Sequence, residues 1–101
     1  MAVAVEVIHR SQPGRRDAVR DVWMAHMPAA VRDNAGHLAY FYTFDADDVD
    51  VIRAFQVYAD EAAAAAFLET SEYAAYVSAV EPNLSGPPEV LRSSVEWAKG
   101  I

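Results

Sequence analysis

Four stretches of the chain alternate with a period of two or are rich in β-branched and aromatic residues, which predicts β-strands. The stretches are residues 2–9, 37–44, 51–58 and 89–97. In the second stretch the predicted alternation places Leu38, Tyr40, Tyr42 and Phe44 on one side of the strand. The other side, with Ala39, Phe41 and Thr43, is no more polar than the first. Both faces of this strand are therefore expected to be buried.

Helical spacing fills the intervals between the strands. Apolar residues three and four positions apart predict a helix over residues 16–25, which Pro28 should kink or end because proline cannot donate to the preceding turn. Residues 62–68 are rich in alanine, the strongest helix former, and follow an acidic cap. Thr70 or Ser71 can cap a second short helix behind it.

The resulting order, β-α-β-β-α-(α)-β, is the ferredoxin-like split β-α-β pattern of the α+β class. It predicts one domain over residues 1–101, with a four-stranded antiparallel sheet and helices on one face. The opposite sheet face would expose apolar side chains in a single copy of the chain. We therefore expect a homodimer in which two sheets pack face to face.

Composition narrows the classes of function. Hydrophobic residues make up 53% and charged residues 23% of the chain, which excludes a disordered segment. No apolar run of about 18 residues is present, so no membrane span is expected. The net charge of −7 argues against nucleic acid and anionic membranes as partners. The apolar N-terminus has no basic flank and is interpreted as a strand rather than a signal peptide, so a cytoplasmic location is expected.

Metal binding is not expected from the sequence. There is no cysteine, which removes thiolate ligands and thiol nucleophiles. The three histidines, His9, His26 and His37, are spaced too irregularly for a helical zinc pair.

Two sets of residues are candidates for chemistry. His26 shares a helical stripe with Trp23, where it could accept a proton in a pocket, or could simply be a half-buried histidine before Pro28. The second set is aromatic rings that each carry one polar atom, which indicates either a pocket for a flat aromatic ligand or an aromatic core and dimer interface. These rings are Trp23, Tyr40, Tyr42, Tyr58, Tyr73, Tyr76 and Trp97.

Charged residues at alternating strand positions are a further set. Glu6 or Glu96 could pair with Arg53 or Arg92 on one sheet face, although solvation at the edge strands explains these charges almost as well.

Four local motifs resemble the antibiotic biosynthesis monooxygenase (ABM) domain family of the dimeric α+β barrel superfamily. They are Pro13-Gly-Arg-Arg16 at a helix start, Asn34-Ala-Gly-His37 before a strand, Phe55-Gln-Val-Tyr-Ala-Asp-Glu-Ala62, and Thr70-Ser-Glu-Tyr73. The resemblance covers nearly the whole chain and implies the dimeric α+β barrel fold.

The chain departs from the family pattern at three positions. Gln56 stands where glutamate is common, Tyr58 where tryptophan is common, and Phe67 where histidine is common. Haem-degrading relatives need that histidine as iron ligand and an asparagine on the first strand. The resemblance therefore does not imply haem here, and no cofactor is expected.

The resemblance to the cofactor-free branch implies oxidation of a quinol or anthrone-type polyketide by O₂, with His26, Tyr58 and Arg92 as candidate catalytic residues. Trp23, Tyr40, Tyr42 and Tyr73 are candidate substrate-binding residues, and only Tyr58 occupies an alignable motif position. Two alternatives stay open: a non-catalytic ligand-binding or stress-related barrel protein, and a polyketide isomerase or cyclase. The sequence does not decide whether the domain is an enzyme.

Overall fold

A computed structural model describes all residues of the chain, 1–101. Its four strands are β1 (Val3–Arg10), β2 (His37–Phe44), β3 (Val51–Tyr58) and β4 (Glu89–Ser94). Its helices are α1 (Arg16–His26), α2 (Pro28–Arg32), α3 (Glu61–Phe67) and α4 (Ser71–Val80), and a 3₁₀ turn covers Glu81–Asn83. No helix has the length and hydropathy that crossing a membrane requires.

The strands form one sheet in the order β2-β3-β1-β4, with every neighbouring pair antiparallel. The core joins one face of this sheet to the helices. Val5 and Ile52 of the sheet pack in one buried cluster with Val19 of α1 and Tyr76 of α4. The predicted ferredoxin-like α+β fold, with helices on one face of a four-stranded antiparallel sheet, is confirmed.

Local signals set the ends of the helices. Pro28 is the first residue of α2 and begins it directly after α1, a position where its missing N–H costs nothing. Asp60 caps α3 by accepting a hydrogen bond from the Ala63 backbone N–H at 2.8 Å. Of the two predicted caps for α4, Thr70 is the one that acts, because its hydroxyl accepts from the backbone N–H of Tyr73.

Strand β4 is shorter than predicted. It ends at Ser94 rather than at residue 97, and the backbone N–H of Val95 makes a last bond to the Ala2 carbonyl at 3.1 Å. Trp97, expected at the end of the strand, is largely exposed beyond it.

A β-bulge in β2 corrects one predicted side-chain direction. His37 pairs with Tyr58, whereas Ala39 pairs with the next residue, Val57, so Leu38 is the extra residue. His37 therefore turns toward the helices, with its ring 4.3 Å from that of Tyr58. Leu38 was predicted to share the side of Tyr40, but it is 47% exposed.

The sheet face away from the helices, called the open face below, carries an apolar row. Phe41, Phe55, Glu6 and Leu91 are successive cross-strand partners on β2, β3, β1 and β4. Phe41 is 58%, Phe55 38% and Leu91 49% exposed. Phe41 and Phe55 are neighbours, and the charged Glu6 separates them from Leu91. The open face thus carries large apolar side chains that the helices of the same chain do not cover.

The predicted ion pairs are divided between the two faces. Glu6 pairs with Arg53 on the open face at 2.7 Å. Arg92 lies on the other face and pairs with Glu61 of α3 instead, at 3.1 Å. Arg92 thus has no ion pair with Glu6 or Glu96, because successive residues of a strand point to opposite faces and Arg92 shares its face with the helices.

Candidate functional site

A cavity of about 420 Å³ lies between the helix-covered face of the sheet and helices α1, α3 and α4. The space exists because the sheet residues at its centre have small side chains. Ala54 of β3 is paired with Val7 of β1, which is paired with Val90 of β4. Of the 20 lining residues, 15 are hydrophobic, so the few polar groups have little competition from water. A cavity of this size and character can enclose a small, flat organic molecule.

Aromatic rings form the wall of the cavity beside α1 and β2. The Trp23 ring lies 4.7 Å from that of Tyr42 and 5.3 Å from that of Tyr40, both tilted. The indole N–H of Trp23 donates to the Tyr40 hydroxyl at 3.3 Å. Tyr73 of α4 contacts Phe67 edge-on at 6.0 Å and continues the wall. Flat π-faces arranged in this way favour an aromatic ligand.

A chain of hydrogen bonds runs from the turn before β2 into the cavity. The Asn34 amide contacts His37 Nδ1 at 2.9 Å, and His37 Nε2 contacts Gln56 Oε1 at 2.9 Å. The Tyr58 hydroxyl donates to the same Gln56 oxygen at 2.6 Å. Burial lowers the pKa of His37, and its bond to Gln56 opposes this shift only in part. The ring is therefore neutral at pH 7.

His9 is a buried histidine of β1 on the cavity lining. Its Nδ1 is fully enclosed and has no hydrogen-bond partner, and no protein group bonds its Nε2. Burial lowers the pKa of His9, so the ring is neutral at pH 7 and has a free lone pair. A buried polar atom without a partner costs about 1–3 kcal/mol. Because Nδ1 is enclosed, Nε2 is the ring nitrogen that a ligand could reach.

Tyr42 provides a second unsatisfied atom on the same lining. Its hydroxyl is buried and has no partner. Burial raises the pKa of Tyr42, and burial likewise raises the pKa of Tyr40 to about 12. The pKa of Tyr58 is raised for the same reason. At neutral pH these phenols are hydrogen-bond donors rather than bases.

One edge of the cavity is formed by the exposed side chains of Glu61 and Arg92, whose ion pair joins α3 to β4. Both are well solvated, so the pair contributes little to stability. It places one cation and one anion at the edge of an otherwise apolar space.

Six of the seven predicted site residues line this cavity, and one does not. The six are Trp23, Tyr40, Tyr42, Tyr58, Tyr73 and Arg92. His26 lies at the end of α1, half-buried, and is not part of the lining. Its predicted role as proton acceptor stays a prediction without geometric support. His26 and Trp23 share a helical stripe, but of the two only Trp23 faces the sheet and reaches the cavity.

Sequence reasoning did not select His9 and Gln56 as site residues. The signal for His9 was available, since it follows Val5 and Val7 at strand spacing and must share their face. Gln56 was noticed as a polar residue at an alternating strand position and as a departure from a family pattern, but it was not assigned to the site. Its contact with His37 depends on the bulge in β2, which the sequence did not reveal.

No group of three or more histidine, cysteine, aspartate or glutamate side chains is arranged to hold a metal ion. Phe67 is buried on the cavity lining at the position where haem-degrading relatives carry a histidine. A phenyl ring cannot ligate iron, so Phe67 cannot supply the ligand that those relatives use.

The family model described as antibiotic biosynthesis monooxygenase matches residues 1–79. The chain belongs to this family. No curated protein matches the chain. Membership in the ABM family agrees with the fold and with the aromatic cavity, and it leaves the substrate undefined.

Several solved structures share the fold over nearly the whole chain. Rv0793 from Mycobacterium tuberculosis is 23% identical with a TM-score of 0.86, covering 98% of this chain and 100% of that one. NE2512 from Nitrosomonas europaea, a protein of unknown function, is 26% identical with a TM-score of 0.84, covering 99% and 94%. A protein from Chloroflexus aurantiacus J-10-fl, assigned to the antibiotic biosynthesis monooxygenases, is 20% identical with a TM-score of 0.85, covering 100% and 99%.

Proposed function

We propose that this ABM-family protein binds a small aromatic or quinone-like molecule in its cavity and oxidises a quinol or anthrone-type polyketide with O₂, without a cofactor. The observation that carries the proposal is the aromatic cavity, whose lining includes His9 and Tyr42, two residues with an unpaired buried polar atom, Nδ1 and OH respectively. Such atoms are costly in an empty core and useful in a binding site.

The reaction needs one proton acceptor and a dry site. For an anthrone, loss of a proton from the ring methylene gives a carbanion that reacts with O₂ and forms a hydroperoxide. Loss of the second methylene proton then breaks the O–O bond and leaves a carbonyl and water. Of the two oxygen atoms, one enters the product and the other leaves as water, so O₂ is the only oxidant required.

His9 is the residue best placed to accept the first proton. It is neutral at pH 7, buried on the lining and free of protein partners. A general base must be unprotonated to act, and here the lone pair is available before the substrate arrives. Tyr40 remains protonated and accepts from Trp23, so its own proton is free to donate to the phenolate oxygen that forms. Tyr58 also remains protonated, but it must give up its bond to Gln56 before it can donate to that oxygen.

The remaining site residues have supporting roles in this proposal. Trp23, Tyr42 and Tyr73 stack against the ligand ring, since their faces form the wall. Arg92 stabilises negative charge at the edge of the cavity, although its ion pair with Glu61 must loosen for it to do so.

The proposal includes a homodimer as the working unit of the single domain, with a cytoplasmic location. The apolar row of the open face supports the dimer, because three large side chains exposed together on a sheet favour association. Two such faces packed together would complete the barrel.

A non-catalytic ligand-binding role is the second candidate, and one observation favours it. The hydroxyl of Tyr58 is held by Gln56, and the guanidinium of Arg92 is held by Glu61. Two of the three predicted catalytic groups are therefore engaged within the protein, which a binding protein tolerates better than an enzyme.

An oxygen electrode with a panel of anthrones and quinols tests the proposal. We expect enzyme-dependent O₂ uptake that falls about a hundredfold in His9→Leu, the usual scale for loss of a general base. Because His9 has no protein hydrogen bond to lose, this variant should fold. The rate should also fall on acidification as His9 becomes protonated, at a pH below 6.5 because burial lowers the pKa of His9.

His26→Ala is the matched comparison, since it removes the other candidate histidine. Loss of uptake in His26→Ala with full activity in His9→Leu would assign the base to His26 instead. Uptake at the buffer rate with every substrate would remove the oxygenase, and ligand binding without turnover would support the second candidate.

A further inference from the structure

We infer that Gln56 is the specificity-determining residue of the cavity, and that a hydrogen-bond chain from the turn before β2 fixes its amide so that the NH₂ group faces the ligand. The cavity would then select aromatic molecules that carry an oxygen acceptor, such as a ring carbonyl or phenolate. This inference rests on the proposed function for the ligand class, and it assigns that class to one side chain.

The direction of each hydrogen bond in this chain of bonds can be assigned from its first donor, a backbone N–H. The backbone N–H of Gly36 can only donate, and it lies 3.2 Å from Asn34 Oδ1. That oxygen is therefore the acceptor, and the other amide atom of Asn34, Nδ2, is a donor. It contacts His37 Nδ1 at 2.9 Å, so Nδ1 carries no proton and accepts the bond.

The tautomer of His37 follows. A neutral imidazole carries one proton, and here it must be on Nε2. Nε2 lies 2.9 Å from Gln56, so the Gln56 atom it meets is the accepting oxygen Oε1. The Tyr58 hydroxyl, at 2.6 Å, donates to the same oxygen and reinforces the assignment.

The amide nitrogen of Gln56 makes no hydrogen bond within the protein. Oε1 takes both bonds within the protein, and Nε2 has no protein partner. The side chain is buried and lines the cavity, yet its nitrogen is not among the fully enclosed unsatisfied atoms. The NH₂ group is thus reachable from the cavity, with two donors for a ligand oxygen.

The location of Gln56 fits this role. It lies in the middle of β3, between Val5 of β1 and Tyr40 of β2 in the sheet register. A carbonyl bonded there would place its ring against the aromatic wall of Trp23 and Tyr40. A site built to satisfy an acceptor rejects an analogue that lacks it, because its buried donors are then left unpaired.

Calorimetric binding of a matched pair tests the inference without turnover. The pair is α-tetralone and tetralin, which share a ring skeleton and differ by one carbonyl. In the Gln56→Leu variant, the ratio of tetralone affinity to tetralin affinity should fall at least about fivefold relative to the unmodified protein, the scale of one hydrogen bond.

Asn34→Asp tests, from outside the cavity, whether the hydrogen-bond chain orients the Gln56 amide. A carboxylate beside Nδ1 can only accept a hydrogen bond. At about pH 9, where His37 is neutral, the single proton of the imidazole therefore moves to Nδ1. Nε2 then accepts from the Gln56 amide, which turns its oxygen toward the ligand. We expect the preference for tetralone to be lost. Asn83→Asp is the matched control, because it adds the same charge at a residue that does not line the cavity.

¹⁵N NMR of the unmodified protein provides a readout that does not depend on any variant folding. The shifts of His37 should identify the Nε2–H tautomer, and an Nδ1–H tautomer would overturn the inference. If both ligands bind and the ratio is unchanged in Gln56→Leu and Asn34→Asp, the inference fails while the ligand site stands. If neither ligand binds, the cavity is not a site for this class, and the proposed function fails with it.

Discussion

The two faces of the sheet are built from the same strands, but one faces the helices and the other faces solvent. On the helix-covered face, small residues such as Ala54 and Val7 leave a space beneath aromatic side chains. On the open face, Phe41 and Phe55 project into solvent. The helix-covered face borders a cavity beneath the helices, and the open face has apolar surface without a cover. Ligand binding and self-association are therefore expected from opposite sides of one sheet.

The largest expected effect comes from placing a charge on the open face. Phe41→Asp should raise the dimer dissociation constant by at least about a hundredfold, because an unpaired carboxylate would be buried between the sheets. Analytical ultracentrifugation at micromolar concentration measures this. Ligand binding in the cavity should be affected far less, unless the barrel is needed to shape it.

Val49→Asp is the control for this change. Val49 is exposed in the turn between β2 and β3, outside the sheet, and the variant adds the same charge. It should leave association unchanged. A stable monomer of the unmodified protein would show that the open face has no second copy as its partner.

An intermediate effect is expected at the cavity edge. Ala65 and Ala66 are consecutive exposed residues of α3, but only Ala65 lines the cavity. Ala65→Trp should weaken ligand affinity about tenfold by filling the space with an indole, whereas Ala66→Trp should not. Titration calorimetry with an aromatic ketone compares them. Equal affinity in both variants would place the ligand somewhere else.

The smallest effect is a dependence of stability on pH. Burial lowers the pKa of both His9 and His37 below the unfolded value of 6.5. The unfolded chain therefore binds more protons than the native one as the pH falls through 6.5 toward the folded pKa values. Stability is full above about pH 6.5 and decreases below it.

Urea unfolding at a series of pH values measures this decrease. His9→Leu should make the dependence on pH shallower, because one of the two groups is removed. A stability that rises on acidification through this range would contradict the burial of neutral histidines. Val49→Asp, in the turn outside the sheet, is again the control because it leaves both histidines in place.

The part of the site that alternation determines was predictable. The rings of Tyr40, Tyr42 and Tyr58 lie on the lining because period-two spacing places them on one face, and Trp23 faces them because of its helical stripe. His26 shares the helical stripe of Trp23 but does not line the cavity, since a helix stripe is wide and its edge need not reach the pocket.

The sequence by itself determined the order of strands and helices, the cap at Asp60, and the need to cover two apolar sheet faces. These follow from local spacing and from the backbone groups at helix ends, which act over a few residues. Only the tertiary structure decided that His37 turns inward at the bulge, that it meets Gln56, and that His9 is left without a partner. Those contacts join residues far apart in the chain, and whether a buried polar atom finds a partner depends on distances that spacing along the sequence does not define.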